Sequence, residues 1–276
     1  MRRLRGWFLA PAVTVQIVLF AAPLAIICAY SLLTRGAYFG LAPPWTLANY
    51  SRLFDPLYGE VLLRSLVLSL IATALCLLLG FPLALFISQS GSRKNLYLNL
   101  VILPFWTSFL VRIYAWMFLL RDTGLINAAL QAAGVIHQPL PLLYNDGAVI
   151  LGLVYGQLPF MILPLYATLE RLDKNLLEAS ADLGARPWAT LTRVTIPLCA
   201  PGIRAGAILV FIPCLGAFLV PDLLGGGKSI MIGNVVQNQF TTARDWPFGS
   251  ALSLALMATV MLLLMAFMRR KGESLL

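Results

Sequence analysis

Long apolar stretches broken by short polar connections constrain this chain more than any other feature. Six can be read, at residues 7–33, 61–88, 96–120, 148–169, 203–220 and 249–268. About 20 consecutive apolar residues suffice to cross the hydrocarbon core as a helix, because a helix satisfies its own backbone polar groups. Composition agrees: 60% of the 276 residues are hydrophobic and 11% are charged, whereas soluble domains average about a quarter charged. The expected fold is an all-α membrane protein with six transmembrane helices.

Charge gives the orientation. Arg2, Arg3 and Arg5 precede the first stretch, and Arg93 and Lys94 lie between the second and third. Arg171, Lys174, Arg186, Arg193 and Arg204 lie between the fourth and fifth, and Arg269, Arg270 and Lys271 follow the sixth. Arg35, Arg52, Arg64, Arg112, Arg121, Lys228 and Arg244 are scattered over the remaining connections and the spans. This bias predicts both termini in the cytoplasm and an even number of crossings. The net charge of +9 therefore reflects membrane topology and not a nucleic-acid footprint. The first stretch is too long for a signal h-region and reads as an uncleaved span.

The outer connections carry interfacial and turn signals. Trp45, Tyr50 and Phe54 suit an interfacial helix within residues 34–60, and a short helix is expected at 125–133. The run Gly225-Gly226-Gly227-Lys228-Ser229 reads as a flexible outer loop; it lacks the P-loop spacing and no strand precedes it. Asp245, beside Trp246 and Pro247, reads as a turn or as a contact for an external protein. Gly80 and Pro82 suggest a kink, and Pro159, Pro164 and Pro213 loosen the fourth and fifth spans. Cys28, Cys76, Cys199 and Cys214 have no ligand spacing, and His137 is the one histidine. No metal site and no catalytic constellation is expected, which argues against an enzyme.

The fourth connection, 170–202, is charged and helical in pattern. Residues 172–183 form one helix with Gly184 as its stop. Pro187 restarts a turn over 188–194, which Pro197 and Pro201 end. Glu178-Ala179-Ser180, then Gly184, then Val194-Thr195-Ile196-Pro197 resemble the EAA motif of ABC importer permeases, with Ser180 for the second Ala, Val194 for Ile and Ile196 for Leu. The resemblance implies the type-1 importer permease fold. It makes this loop the coupling helix that sits in a cleft of a cytoplasmic ATPase, with Glu178, Ala179, Ser180, Asp182, Gly184 and Pro197 as coupling residues. It also implies a second permease subunit, two ATPase subunits that hold ATP and Mg, and an external solute-binding protein. No cofactor is expected on this chain itself. The domain reading is a first helix and outer segment at 1–60, then the permease domain at 61–270.

Residues 211–226, together with Ile232-Gly233, Gln239-Phe240 and Asp245-Trp246-Pro247, resemble the fifth span and following loop of spermidine/putrescine importer permeases. Leu103-Pro104-Phe105-Trp106-Thr107-Ser108 and Arg112-Ile113-Tyr114-Ala115-Trp116 resemble their third span. Related permeases carry opines, other amines, thiamine or iron. A polyamine path needs carboxylates to offset ammonium charge and aromatic faces for cation–π attraction. Asp222 is the best-placed carboxylate. Trp106, Tyr114, Trp116, Tyr155, Phe211 and Phe218 are the aromatic candidates. Each ring has the alternative of simple packing, and Asp222 that of capping or pairing. Arg112, inside a span, is expected to be structural, pairing with a carboxylate of the second permease. A stand-alone channel or secondary transporter would also have six spans, but it leaves the EAA loop unexplained. A membrane-embedded enzyme would need clustered His, Asp or Ser in the spans.

Overall fold

The computed structural model describes residues 2–36 and 41–269. Helices dominate these residues: α1 (Arg2–Ser31), α2 (Ala48–Arg52), α3 (Pro56–Gln89), α4 (Lys94–Ile102), α5 (Phe109–Leu120), α6 (Leu125–Ala132), α7 (Asp146–Leu169), α8 (Lys174–Asp182), α9 (Pro187–Thr190), α10 (Ile196–Leu198), α11 (Ala200–Leu215), α12 (Leu219–Gly225), α13 (Ile232–Thr241) and α14 (Trp246–Arg269). Two-residue strands β1 (Thr34–Arg35) and β2 (Leu41–Ala42) pair antiparallel.

Among the described residues, Val13–Ser31, Pro56–Gln89, Asp146–Leu169 and Trp246–Ala266 are each long and apolar enough to cross a membrane. Two further crossings are bent. Gly91–Trp106 meets Phe109–Ala132 at 88°, and Pro187–Leu198 meets Ala200–Leu215 at 67°. The described residues thus hold four unbroken candidate spans, and up to six if each bent pair is one span.

Two compact units form: Leu62–Met231, and Met1–Val61 with Ile232–Leu276. In the first, α7 is the central element and its main partner is α11. Leu68, Ala72, Cys76 and Ile87 of α3, Leu153, Met161 and Leu165 of α7, and Val210 and Cys214 of α11 share one buried cluster with Ile113 of α5 and Leu224 of α12. Gly202 and Gly206 let α11 approach α7 closely. A Cβ added at Gly206 would lie 2.7 Å from Met161 Sδ, and one at Gly202 would lie 2.9 Å from the Pro164 carbonyl oxygen.

In the second unit, α1 and α2 pack on α14. Asn49 donates from Nδ2 to the carbonyls of Ser31 and Leu33 at 2.9 and 2.8 Å. Asp245 is buried at the start of α14. Its Oδ1 accepts from the Phe248 amide at 3.2 Å, and its Oδ2 pairs with Arg52 at 2.9 Å. Of its two expected roles, the turn is the one seen, because a buried, capped and paired carboxylate presents nothing outward.

Several expectations need correction. The third stretch is not one helix. Thr107 and Ser108 are extended after a 3-10 turn at Leu103–Trp106, so the helix stops and restarts in a new direction. The fifth ends at Leu215 rather than at 220, and Val220 belongs to the separate α12. Helix α3 continues past the kink expected at Gly80 and Pro82 as one element, and a Cβ on Gly80 would meet Met161 Cγ at 3.2 Å, so the glycine there also serves packing. The Gly225–Ser229 run is held in place. Ser229 is buried, its Oγ donates to Asp146, and Arg64 reaches the same carboxylate at 2.7 Å.

Candidate functional site

The loop between α7 and α11 is built by caps. Asp173 accepts the Asn175 amide at 3.0 Å and starts α8. At the other end Gly184 has φ +76. Its amide donates to the Ala181 carbonyl at 2.8 Å, and the Ala185 amide donates to the Ser180 carbonyl at 3.1 Å. This is the paired C-terminal closure that needs a left-handed residue after the helix. The expected stop at Gly184 is therefore the observed one.

Past the turn, Pro187 sits in the first turn of α9, where its missing N–H costs nothing. The chain then widens into a π-turn at Leu191–Thr195 and re-enters α-helix at Ile196. Pro197 and Pro201 do not end helices as expected; they occupy the first turns of α10 and α11.

Ser180 is buried, and its hydroxyl hydrogen-bonds the Thr190 hydroxyl at 2.8 Å, which fixes α8 against α9. An alanine at this position could not make that tie. Glu178, Ala179, Asp182 and Pro197 are exposed, and neither carboxylate has a partner among the described residues. Two large apolar side chains missed in the sequence stand out beside them: Leu183 is 88% exposed and Trp188 73%. A single chain gains nothing by wetting such groups. Under the loop a cavity of about 440 Å³ is lined by Leu85 and Gln89 of α3 and by Leu177, Ala181, Trp188 and Leu191.

The aromatic candidates divide. Trp116 of α5 meets Tyr155 of α7 edge to face, with centroids 5.6 Å apart. Tyr155 also belongs to a ring cluster around Arg112, whose guanidinium carbon lies 4.4 Å from the Phe105 centroid, 5.6 Å from Phe109 and 5.9 Å from Tyr155. Phe105 in turn meets Phe160 edge-on at 5.5 Å. Phe105 and Phe109 were not among the sequence candidates. Trp106, 84% exposed, and Tyr114 point away from the helix core. Phe211 lies half-buried in α11, and Phe218 is exposed in the break that follows it. Asp222 is exposed on α12, opposite the face that buries Val220 and Leu224, and it has no ion pair among the described residues.

Comparison with known proteins agrees over nearly the whole length. Residues 76–271 match the family described as "Binding-protein-dependent transport system inner membrane component". The chain is 48% identical over 255 residues to the spermidine/putrescine transport system permease protein PotB of Escherichia coli strain K12, covering 92% of this chain and 93% of that one. Identity to PotB of Haemophilus influenzae is 46% over 255 residues, covering 92% and 88%. A solved bacterial ABC transporter involved in import of the acidic polysaccharide alginate has the same fold, with a TM-score of 0.73 at 19% identity over 97% of this chain and 96% of that one. With its apolar helices, its capped loop and this family match, the chain belongs to the inner membrane components of binding-protein-dependent transport systems, the permease subunits of ABC importers.

Proposed function

We propose that this chain forms half of the translocation path of a polyamine importer. The near-full-length likeness to spermidine/putrescine permeases supports this substrate class, and the clustered rings suit an organic cation. The other half comes from a second permease subunit. Two ATPase subunits that bind ATP and Mg dock from the cytoplasm, and a solute-binding protein delivers substrate from outside. Exposed Glu178, Leu183 and Trp188 around the rigid α8–α9 corner suit a protein partner: the apolar groups give buried area and the carboxylate gives a charge-assisted hydrogen bond. ATP-driven closure of the ATPase pair moves this corner, and α11, covalently continuous with it, carries the movement into the path. The first bent pair counts as the third of six spans and α11 supplies the fifth, with both termini and the 170–202 loop in the cytoplasm, as the basic residues favour.

Reconstitution of the chain with its partner subunits in liposomes tests the reading. ATP-dependent uptake of spermidine or putrescine is expected, with an ATPase co-purifying. Stimulation by opines or thiamine with none by polyamines would reassign the substrate. External labelling of a cysteine at position 178 in sealed cells would overturn the topology.

A further inference from the structure

Arg112 lies in α5 and is only 9% exposed, yet its Nε and Nη1 are fully buried with no hydrogen-bond partner. The described acidic groups that form ion pairs serve other bases: Asp245 serves Arg52, Asp146 serves Arg64 and Glu170 serves Lys94. Aromatic rings lie against the guanidinium. Phe105, Phe109 and Tyr155 all lie within 6 Å of its central carbon, the range in which a ring face attracts a cation. A guanidinium tolerates such a place because it is flat and weakly hydrated.

Three rings converging on one positive group make a cation cage, and here the chain's own side chain fills it. We propose that Arg112 is a tethered cation that occupies the Phe105–Phe109–Tyr155 cage and is displaced by an ammonium group of the substrate. The inference rests on the polyamine reading for the identity of the displacing cation, and on geometry alone for the cage.

Competition follows from charge. A guanidinium and an ammonium are both donors, so neither can satisfy the other, and they repel at contact distance in a low-dielectric site. The cage holds one at a time. A tethered competitor acts at an effective concentration on the order of millimolar, so it weakens substrate binding here without changing the rings. A transport site needs this, because it must pass its ligand on. The cage can also come apart. Phe105 lies on the 3-10 turn before the extended Thr107–Ser108 break, whereas Arg112 and Phe109 lie beyond it on α5 and Tyr155 is on α7. A change in the 88° bend would draw the Phe105 wall away from the guanidinium.

The test uses the complete complex with the second permease and the ATPases in lipid nanodiscs, without the solute-binding protein. Equilibrium dialysis measures radiolabelled methylguanidinium and spermidine separately. Arg112→Gln empties the cage and is expected to bind both at least tenfold more tightly than wild type. Arg112→Lys retains a cation and stays near wild type. Arg112→Gln with Phe105→Leu loses the gain. Should Arg112→Gln fail to assemble, methylguanidinium at millimolar concentration is expected to restore assembly by filling the vacancy. Equal binding by wild type and Arg112→Gln overturns the proposal, as does a gain that survives Phe105→Leu or a failure of assembly that methylguanidinium does not rescue. Loss of the second permease from Arg112→Gln, with retention in Arg112→Lys, would instead assign Arg112 to a subunit ion pair. Methylguanidinium binding without spermidine binding would keep the cage and sink the polyamine reading alone.

Discussion

Gly184 offers the sharpest test of the coupling loop, because its environment isolates one physical effect. Its φ is +76, and a Cβ placed there would meet nothing within 4 Å. Substitution therefore strains the backbone without any steric clash. A non-glycine residue in the left-handed region costs about 1–2 kcal/mol, and a β-branched one more. At about 2 kcal/mol, the closed turn is depleted roughly thirty-fold relative to an unwound one. Unwinding breaks the bonds from the Gly184 and Ala185 amides to the Ala181 and Ser180 carbonyls, which turns α8 away from α9. Gly184→Val should thus abolish uptake and uncouple ATP hydrolysis from loaded solute-binding protein while the chain still inserts. Gly184→Ala should be intermediate. Gly184→Asn should approach wild type, since asparagine tolerates this conformation. The assay is stimulated ATPase activity and uptake in proteoliposomes for all three. Wild-type values for Gly184→Val, or an asparagine variant as damaged as the valine one, would refute the reasoning.

Glu178→Ala removes an exposed carboxylate, and with it a charge-assisted hydrogen bond worth about 1.5–3 kcal/mol if the ATPase uses it; pull-down of the ATPase by the variant should weaken and uptake should fail. Ser180→Ala and Thr190→Val each break the 2.8 Å hydroxyl pair. Each should cost about 1 kcal/mol, and the double variant should cost little more than either single one, as thermal unfolding of the complex would read. Asp222→Asn is expected to leave assembly intact, because the side chain is exposed and has no ion pair among the described residues, and to raise the polyamine concentration for half-maximal uptake; unchanged kinetics would remove Asp222 from the path.

Hydropathy made α3, α7 and α14 legible because each is one continuous apolar run whose ends coincide with polar connections. It concealed the break inside 96–120 because the residues around it are as apolar as those on either side. There the interruption comes from the extended backbone of Thr107 and Ser108, a local dihedral choice that no average registers. Gly184 was readable because glycine after an amphipathic helix carries a conformational meaning of its own. Leu183 and Trp188 were not, since their exposure appears only once α8 and α9 have directions. Asp245 left two readings open. A carboxylate in an outer connection suggests display, yet this one turns inward to cap α14 and pair with Arg52.

The third stretch shows how fold and candidate site depend on each other. As one straight helix over 96–120 it would place Phe105 and Arg112 seven residues apart, almost two turns at 3.6 residues per turn, or about 10 Å along the axis. A side chain reaching that far back could touch the ring only by lying along the helix surface. The break at Thr107–Ser108 and the 88° bend instead fold the Phe105 segment over α5, where the guanidinium meets the ring face at 4.4 Å. The interruption that hydropathy could not see is therefore what assembles the aromatic cluster. It is also the place where the cluster can be opened, because the extended pair makes only helix-end bonds, the Thr107 amide to the Pro104 carbonyl at 3.3 Å and the Arg112 amide to the Ser108 carbonyl at 3.2 Å. A straight helix would have to lose its own ladder to make the same movement. The aromatic cluster thus joins residues from both sides of the break, Phe105 before Thr107–Ser108 and Phe109 and Arg112 after it.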